Sequence, residues 1–473
     1  MGTHALVRTA LARGALAGAE PVPYWLSQPG APEPAEPLSG VDAADLAVIG
    51  GGFSGLWTAL VAKERDPARD VVLLESRTAG WAASGRNGGF CSASLTHGLA
   101  NGLDRFATEL PELERLGRRN LDEIADTVAR YGIDCSFERT GELTVAVKPW
   151  QLADLATAAK AAAEFGRAPE LLTAQQVRSE LDSPTYIGGS WDREGCAMVD
   201  PARLAWGLRA ACLRLGVRIY EQTPVERIVP RGQLLRLDTP HGTVNAARVA
   251  LATGAHGRLL RRLRSYVVPV YDYALMTEPL SAAQLAAIGW RHRPGVGDSA
   301  NQFHYYRLTD DNRILWGGYD AIYFAGGRIT AAHDQRPQTF QRLAEHFFET
   351  FPQLEGLRFT HRWGGVVDTC SRFCAFFGTA YQGRLAYAVG YTGLGVGATR
   401  FGARVMLDRL DGADTELTRL EMTNSRPLPF PPEPVRTGVI QLTLWSMAQA
   451  DRHDGRRNPW LRTLDRLGFG FDS

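Results

Sequence analysis

The succession of apolar and polar positions divides the chain into distinct pieces, and the stretch from Asp45 to Glu75 organises the rest. It reads DLAVIG, GGFSG, LWTALVAKER and DVVLLE: an apolar strand, a glycine turn, an amphipathic helix and a second strand ending on an acid. Helical periodicity runs from about Asp104 to Tyr131 and stops at Gly132, and a second helix spans about Trp150 to Phe165. Cys135 to Val147 alternates around a Thr-Gly pair and predicts a hairpin. Asp200-Pro201 supplies an N-cap acid and an N1 proline for a helix that Gly216 ends. A strand (VRIYEQ) and a hairpin about Gly232 and Gly242 follow, and RVALATG runs an apolar strand into a small-residue turn. Strand-like text fills Val267 to Ile329, and a helix covers about Gln338 to Phe351. In His304-Tyr305-Tyr306-Arg307 the alternation sends His304 and Tyr306 to one face and Tyr305 and Arg307 to the other. LAYAVG then feeds a second glycine loop, Tyr391 to Gly397, and a helix to about Leu410; one more helix is expected over Thr437 to Asp451.

The chemistry sits in the turns. Gly50, Gly52 and Gly55 form G-x-G-x-x-G, in which the first glycine permits the tight turn, the second admits a pyrophosphate and the third lets helix and strand pack closely. Glu75 lies at the tip of the second strand, where an acid accepts ribose hydroxyls, and Arg77 beside it could meet a 2'-phosphate instead. Ser84, Gly85, Arg86, Asn87, Gly88 and Gly89 concentrate flexible backbone and donors into a potential anion nest. The later glycine loop delivers a helix N-terminus, with its partial positive charge and free N–H groups.

Composition narrows the partner to a small molecule. The formal net charge of the 473 residues is +1, which leaves no electrostatic footprint for nucleic acid or anionic lipid. Six scattered cysteines suggest reduced structural thiols, and the Cys370/Cys374 pair is a poor zinc site, so no metal is expected. No apolar run is long enough for a membrane span or a signal-peptide core, and a cytoplasmic enzyme is expected. Residues 21–44, with six prolines, read as an extended lead-in pinned by Tyr24 and Trp25.

Four blocks, VIGGGFSGLWTA with Glu75, ASGRNGGF, VALATG and VGYTGLGVG, resemble the FAD-dependent D-amino acid oxidase superfamily, which includes glycine and sarcosine oxidases. SGRNGG, the PYW lead-in and the arginine-rich tail are most similar to gamma-glutamylputrescine oxidase-type members. The resemblance implies an α/β (mixed α+β) fold: an FAD-binding Rossmann-like domain of glutathione-reductase type with an inserted substrate domain on a mixed β-sheet. The implied boundaries are a lead-in (1–44), FAD segments at 45–134, 195–262 and 361–412, substrate segments at 135–194 and 263–360, and a tail (413–473). It assigns FAD contacts to Gly50, Gly52, Phe53, Ser54, Gly55, Glu75, Ser76 and Arg77, to Ser84–Gly89, to Val225 on the adenine side, to Thr253 and Gly254, and to Gly393, Leu394, Gly395 and Val396 at the ring edge. Noncovalent FAD follows, because the linking cysteine of sarcosine oxidase-like members would fall near Gly364.

The implied reaction is oxidation of an amine or amino-acid C–N bond to an imine, with O2 or another acceptor taking the electrons. It needs no strong general base, so the substrate-side candidates are shape and polarity residues: Phe90, His304, Tyr306, Trp363, Asp368 and Tyr391. Sarcosine oxidase-like members place a lysine near the flavin to help oxygen react; here no lysine follows Lys160, and Trp316 or a neighbour falls in that region. A dehydrogenase is therefore open beside an oxidase. A flavin monooxygenase, an RNA-bound relative and a catalytically silent flavin binder are the competing readings.

Overall fold

The computed structural model describes residues 2–256 and 259–466, with the side chains of residues 2–7 outside the description. Strands are numbered along the chain. The first sheet joins β1 (Gly40–Ile49), β2 (Val71–Leu74), β8 (Arg218–Tyr220), β9 (Arg227–Arg231), β10 (Leu234–Asp238), β11 (Gly242–Leu251), β17 (Phe376–Ala380) and β18 (Leu385–Val389), with its main path ordered β17-β18-β11-β1-β2-β8. Strands β18, β11, β1, β2 and β8 run parallel, and Ile49 is level with both Leu74 and Leu251. Their carboxyl ends therefore meet along one edge, the place where open α/β sheets bind ligands. The helices that matter there are α1 (Phe53–Arg65), α2 (Pro201–Arg214) and α4 (Gly395–Asp411), while α3 (Pro337–Thr350) belongs to the second sheet. Helix α1 is buried from Phe53 to Lys63 because the sheet, α2 and α4 enclose it; Lys63 ends it by donating to the carbonyls of Pro67 and Arg69.

The second sheet is mixed and joins β4 (Glu142–Ala146), β5 (Glu170–Thr173), β6 (Gly188–Asp192), β12 (Val268–Thr277), β13 (Gly295–Asp298), β14 (His304–Leu308), β15 (Ile314–Gly318) and β16 (Phe359–Thr369), in the order β16-β12-β15-β14-β13-β4-β6-β5. Its far face packs on α3 through Tyr271, Tyr273, Tyr306, Trp316, Phe347 and Phe351. Its near face turns toward the first sheet, where Ala274, Met276, Leu315 and Trp363 bury Trp25 with Ala202 of α2. A two-stranded ribbon of β3 (Phe90–Ser92) and β7 (Cys196–Met198) completes the strands.

Several expectations are corrected. β1 begins at Gly40, not Asp45, because Gly40 to Ala44 extend the parallel pairing with β11. β16 falls across the boundary at residue 361 yet pairs along its length with β12 in the second sheet. Residues 135–147 are no hairpin: Glu138 bridges Met198, Gly141 turns at φ +73°, and β4 leaves to pair with β6 and β13. The helix expected from Asp104 is two, Leu99–Phe106 and Leu110–Tyr131, since Pro111 is tolerated only in a first turn. The lead-in contains a short helix, Tyr24–Ser27, and the residues before it form the helix Gly2–Leu16, whose Ala12, Ala15 and Leu16 join the core beside α3. The tail helix spans Val435–Arg452 and docks on the second sheet's loops, where Asp451 accepts from the Asn301 and Gln302 amides. The closing residues 467–473 lie outside the described residues.

Candidate cofactor and active site

The first glycine turn is built on backbone-to-backbone contact. Gly50 has φ +110°, and a Cβ there would lie 2.5 Å from the Ala252 carbonyl oxygen. A Cβ on Gly55 would lie 1.8 Å from the Gly50 carbonyl oxygen, so the start of α1 touches the end of β1. Gly52 is the N-cap of α1 and has no side chain to offer its amides; Phe53 N–H donates instead to Ser84 Oγ at 2.9 Å. Ser54 faces inward, with Oγ 3.2 Å from the Tyr391 hydroxyl. Glu75, only 5% exposed, accepts from Gly51 N at 2.6 Å and from Arg77 N, Ser76 Oγ and Trp81 Nε1 at 2.8 Å each. The acid is thereby held directly beside the glycine turn, and the Arg77 guanidinium lies 4.2 Å over the Trp81 ring.

The segment from Ser84 to Gly89 is clamped from behind by two indoles. Trp363 Nε1 donates to the Arg86 carbonyl and Trp25 Nε1 to the Asn87 carbonyl, each at 2.9 Å. Asn87 ties the turn to itself, donating to the Ala83 and Ser84 carbonyls and accepting from Gly89 N. Arg86 is engaged rather than free: it donates to the Trp81 and Gly364 carbonyls and pairs with Asp334 at 2.6 Å. Gly85 makes room for Leu26, Gly88 for the Tyr305 ring, and Gly89, at φ +80°, for Arg307 and the Val199 carbonyl.

The other wall comes from β11 and the second glycine loop. Thr253 Oγ1 is shielded from solvent and has no hydrogen-bond partner among the described residues. Gly393 has φ +90° and open space where a Cβ would stand, while Leu394 caps α4 with no side-chain bond, leaving the Gly395 and Val396 end of that helix unfilled. Val225 is half-buried against the core below β2 and β8. Asp368 sits beside Gly254 and accepts from Gly390 N at 2.7 Å; burial pushes its pKa up to about 6. The folded value thus exceeds the unfolded one near 3.8, so this carboxyl's contribution to stability is full below about pH 4 and is lost as pH rises through about 6. In flavin-free protein, Asp368→Asn should flatten that part of the profile; urea midpoints from pH 4 to 8 that fall as steeply in the variant as in the parent would refute this.

An orphaned threonine hydroxyl, two helix N-termini without side-chain caps and a glycine turn beside a buried acid fit a dinucleotide with a pyrophosphate. Among the described residues no group of three His, Cys, Asp or Glu could hold a metal ion.

The nominated substrate-side residues do not converge. His304 and Tyr306 lie on the far face: Tyr306 Oη meets Tyr186 Oη at 2.6 Å, and His304 stacks on Trp316 and bonds Asp298 and His346. Tyr391 is buried between α1 and α4, its hydroxyl occupying the notch left by Gly402. Asp368 braces the second glycine loop, and Trp363 is spent on the Arg86 carbonyl. Trp316 likewise faces α3, while Leu315 takes the near face. Phe90 does reach the near face, edge-on to Tyr305 at 5.9 Å. The residues missed are Tyr305 and Asp272, joined by a 2.5 Å hydrogen bond across β15. Alternation in VYDYAL, which sets Asp272 apart from Tyr271 and Tyr273, was the available signal.

The parallel sheet, its glycine turns and the acid at the tip of β2 define a dinucleotide-binding oxidoreductase architecture. The chain belongs to the family described as FAD dependent oxidoreductase, whose pattern matches residues 45–409. It is 32% identical over 399 residues to gamma-glutamylputrescine oxidoreductase of Escherichia coli K12, covering 82% of this chain and 88% of that protein. It is 28% identical over 397 residues to the probable oxidoreductase OrdL of Haemophilus influenzae, covering 81% and 87%. Among solved structures, glycine oxidase from Geobacillus kaustophilus superposes with a TM-score of 0.67 at 21% identity, covering 81% of this chain and 99% of that one. L-proline dehydrogenase from P. horikoshii superposes with a TM-score of 0.66 at 19% identity, covering 80% and 95%.

Proposed function

We propose that this FAD-dependent oxidoreductase oxidises the C–N bond of a small amine or amino acid to an imine that water then hydrolyses. The observation that carries the reading is the placement of the mixed sheet's near face against the Ser84–Gly89 clamp, where Tyr305, bonded to Asp272, packs on Gly88 and Phe90 stands edge-on to it. The E. coli relative and the glycine oxidase fold support the C–N bond as the target. Bound FAD supplies the two-electron acceptor, and the residues that would hold it are Gly50–Gly55, Glu75–Arg77, Ser84–Gly89, Val225, Thr253–Gly254 and Gly393–Val396. The chain's part is to hold the substrate carbon against the ring and keep bulk water out. His304, Tyr306 and Tyr391, being packed elsewhere, drop out of that role, and Tyr305 and Asp272 take it.

Noncovalent attachment is supported by the cysteines, all six of which are buried free thiols; Cys370 donates back to the Cys374 carbonyl. An acceptor other than O2 is favoured by the lysines: Lys63 and Lys148 are committed to the backbone carbonyls of Pro67 and Asp451, and Lys160 lies on the helix Pro149–Glu164. A cytoplasmic setting is in keeping with the absence, among the described residues, of any helix long and apolar enough to cross a membrane.

The test is an anaerobic absorbance titration of the purified protein with amines and amino acids, followed by air. A substrate should bleach the flavin band, and reoxidation by air should be slow against reoxidation by a quinone or dye. Prompt reoxidation with stoichiometric peroxide would make it an oxidase, and a protein that cannot be loaded with FAD would sink the reading.

A further inference from the structure

We propose that the Asp272 carboxylate, oriented by Tyr305, binds the ammonium end of the substrate, and that the substrate is an amine without an α-carboxylate. The inference rests on the amine-oxidising reading above and narrows its substrate class. Asp272 (β12), Gly317 (β15) and Tyr305 (β14) lie on adjacent strands of the near face. A Cβ on Gly317 would stand 2.6 Å from Tyr305 Cζ; its absence lets the ring lie flat across β15 and reach the acid. Gly88 makes the same allowance on the opposite side, at 2.7 Å from Tyr305 Cε2. Phe90 stands edge-on to Tyr305, and Phe303, 36% exposed, lies 6.5 Å from it, so the tyrosine that bonds the acid is one of three neighbouring aromatic rings.

The acid itself lacks a cation. Its Oδ1 accepts from Tyr273 N and its Oδ2 from Tyr305 Oη, the Gly318 backbone amide donates to it as well, and among the described residues no arginine, lysine or histidine pairs with it. Buried Asp320 on the next loop shows the usual arrangement, paired with both Arg336 and Arg342. A partly buried carboxylate with hydrogen-bond donors but no counter-charge is costly, and desolvation pushes the Asp272 pKa up to about 6. A substrate ammonium would supply the missing charge, with aromatic faces adding cation–π attraction.

A substrate carboxylate finds no such welcome. On this face Arg86 is tied to Asp334 and two carbonyls, and Arg307 is buried beneath Trp25, donating to the Val199 carbonyl. Further along, Glu142 reaches to 3.8 Å from the Cβ position of Gly297, with no hydrogen-bond partner among the described residues. Burial pushes its pKa up to about 7, so it offers a substrate carboxylate no positive charge to pair with.

The experiment uses FAD-loaded wild type, Asp272→Asn and Tyr305→Phe, with two readouts. Anaerobic flavin reduction compares lysine with its decarboxylated counterpart, 1,5-diaminopentane. Flavin difference spectra follow binding of benzyltrimethylammonium, a cation that cannot form an imine. We expect the diamine to half-saturate at a concentration at least tenfold below lysine. Asp272→Asn should raise the diamine half-saturation and the probe's dissociation constant at least tenfold, with FAD content and limiting reduction rate changing far less. Tyr305→Phe should do so by a smaller factor. Preference for lysine, or probe and diamine affinities unchanged in both variants, overturns the proposal. If no amine or amino acid reduces the flavin, the oxidase reading falls, while the probe titration still decides the ammonium site.

Discussion

Gly55→Ala should yield a protein that purifies without flavin and melts well below its parent. The added methyl would stand 1.8 Å from the Gly50 carbonyl oxygen and 3.2 Å from Val48 Cγ1, and the first of these is backbone that no rotamer change can move. Helix α1 must lift from β1, which costs about 1–3 kcal/mol or more by analogy with overpacked cores. The same displacement moves the α1 N-terminus away from Ser84 and Glu75, so FAD binding and stability fall together. Gly438→Ala is the control: nothing lies within 4 Å of its Cβ position in the helix Val435–Arg452, and alanine there should be neutral or mildly stabilising. Flavin content and melting temperature matching wild type in Gly55→Ala would contradict the account.

Trp25→Ala has the second-largest expected effect, through a residue outside the nucleotide unit. The indole is 2% exposed, sits among Ala202, Met276, Leu315 and Trp363, and holds the Asn87 carbonyl. Removing it should cost about 3–5 kcal/mol, as for other buried aromatic truncations, and release the rear of the Ser84–Gly89 turn. FAD affinity should fall at least tenfold. Trp25→Phe separates the two contributions: it keeps most of the apolar contact, loses a hydrogen bond worth about 1 kcal/mol, and should bind FAD nearly as well as wild type. Equal FAD affinity in Trp25→Ala and wild type, measured by fluorescence titration of apoprotein, would show that the lead-in does not brace the turn.

The nucleotide unit was legible because its chemistry is local: Gly50, Gly52, Gly55 and Glu75 fall within one strand–helix–strand unit, each with a steric or polar reason of its own. The substrate face was not, because it depends on register between distant strands. Alternation in HYYR separated His304 and Tyr306 from Tyr305 and Arg307 correctly, but nothing in those four residues says which side α3 will cover. Tyr391 misled for a similar reason: its neighbours belong to the glycine loop, yet its hydroxyl is claimed by a helix contact with Ser54 and Gly402. The false hairpin at 135–147 failed at Gly141, where a positive φ hands the strand to partners far away in sequence.

The interleaving of the two sheets bears on how the molecule is made. β18 and α4, which complete the edge carrying the glycine turns, begin at Leu385 and Gly395, after every strand of the second sheet has already been translated. While the ribosome is still delivering them, β11 has an unpaired margin and the anion-binding edge lacks its last wall. Cofactor capture is then a late event, and until β18 emerges and pairs, the nascent chain carries an open, aggregation-prone strand margin at β11.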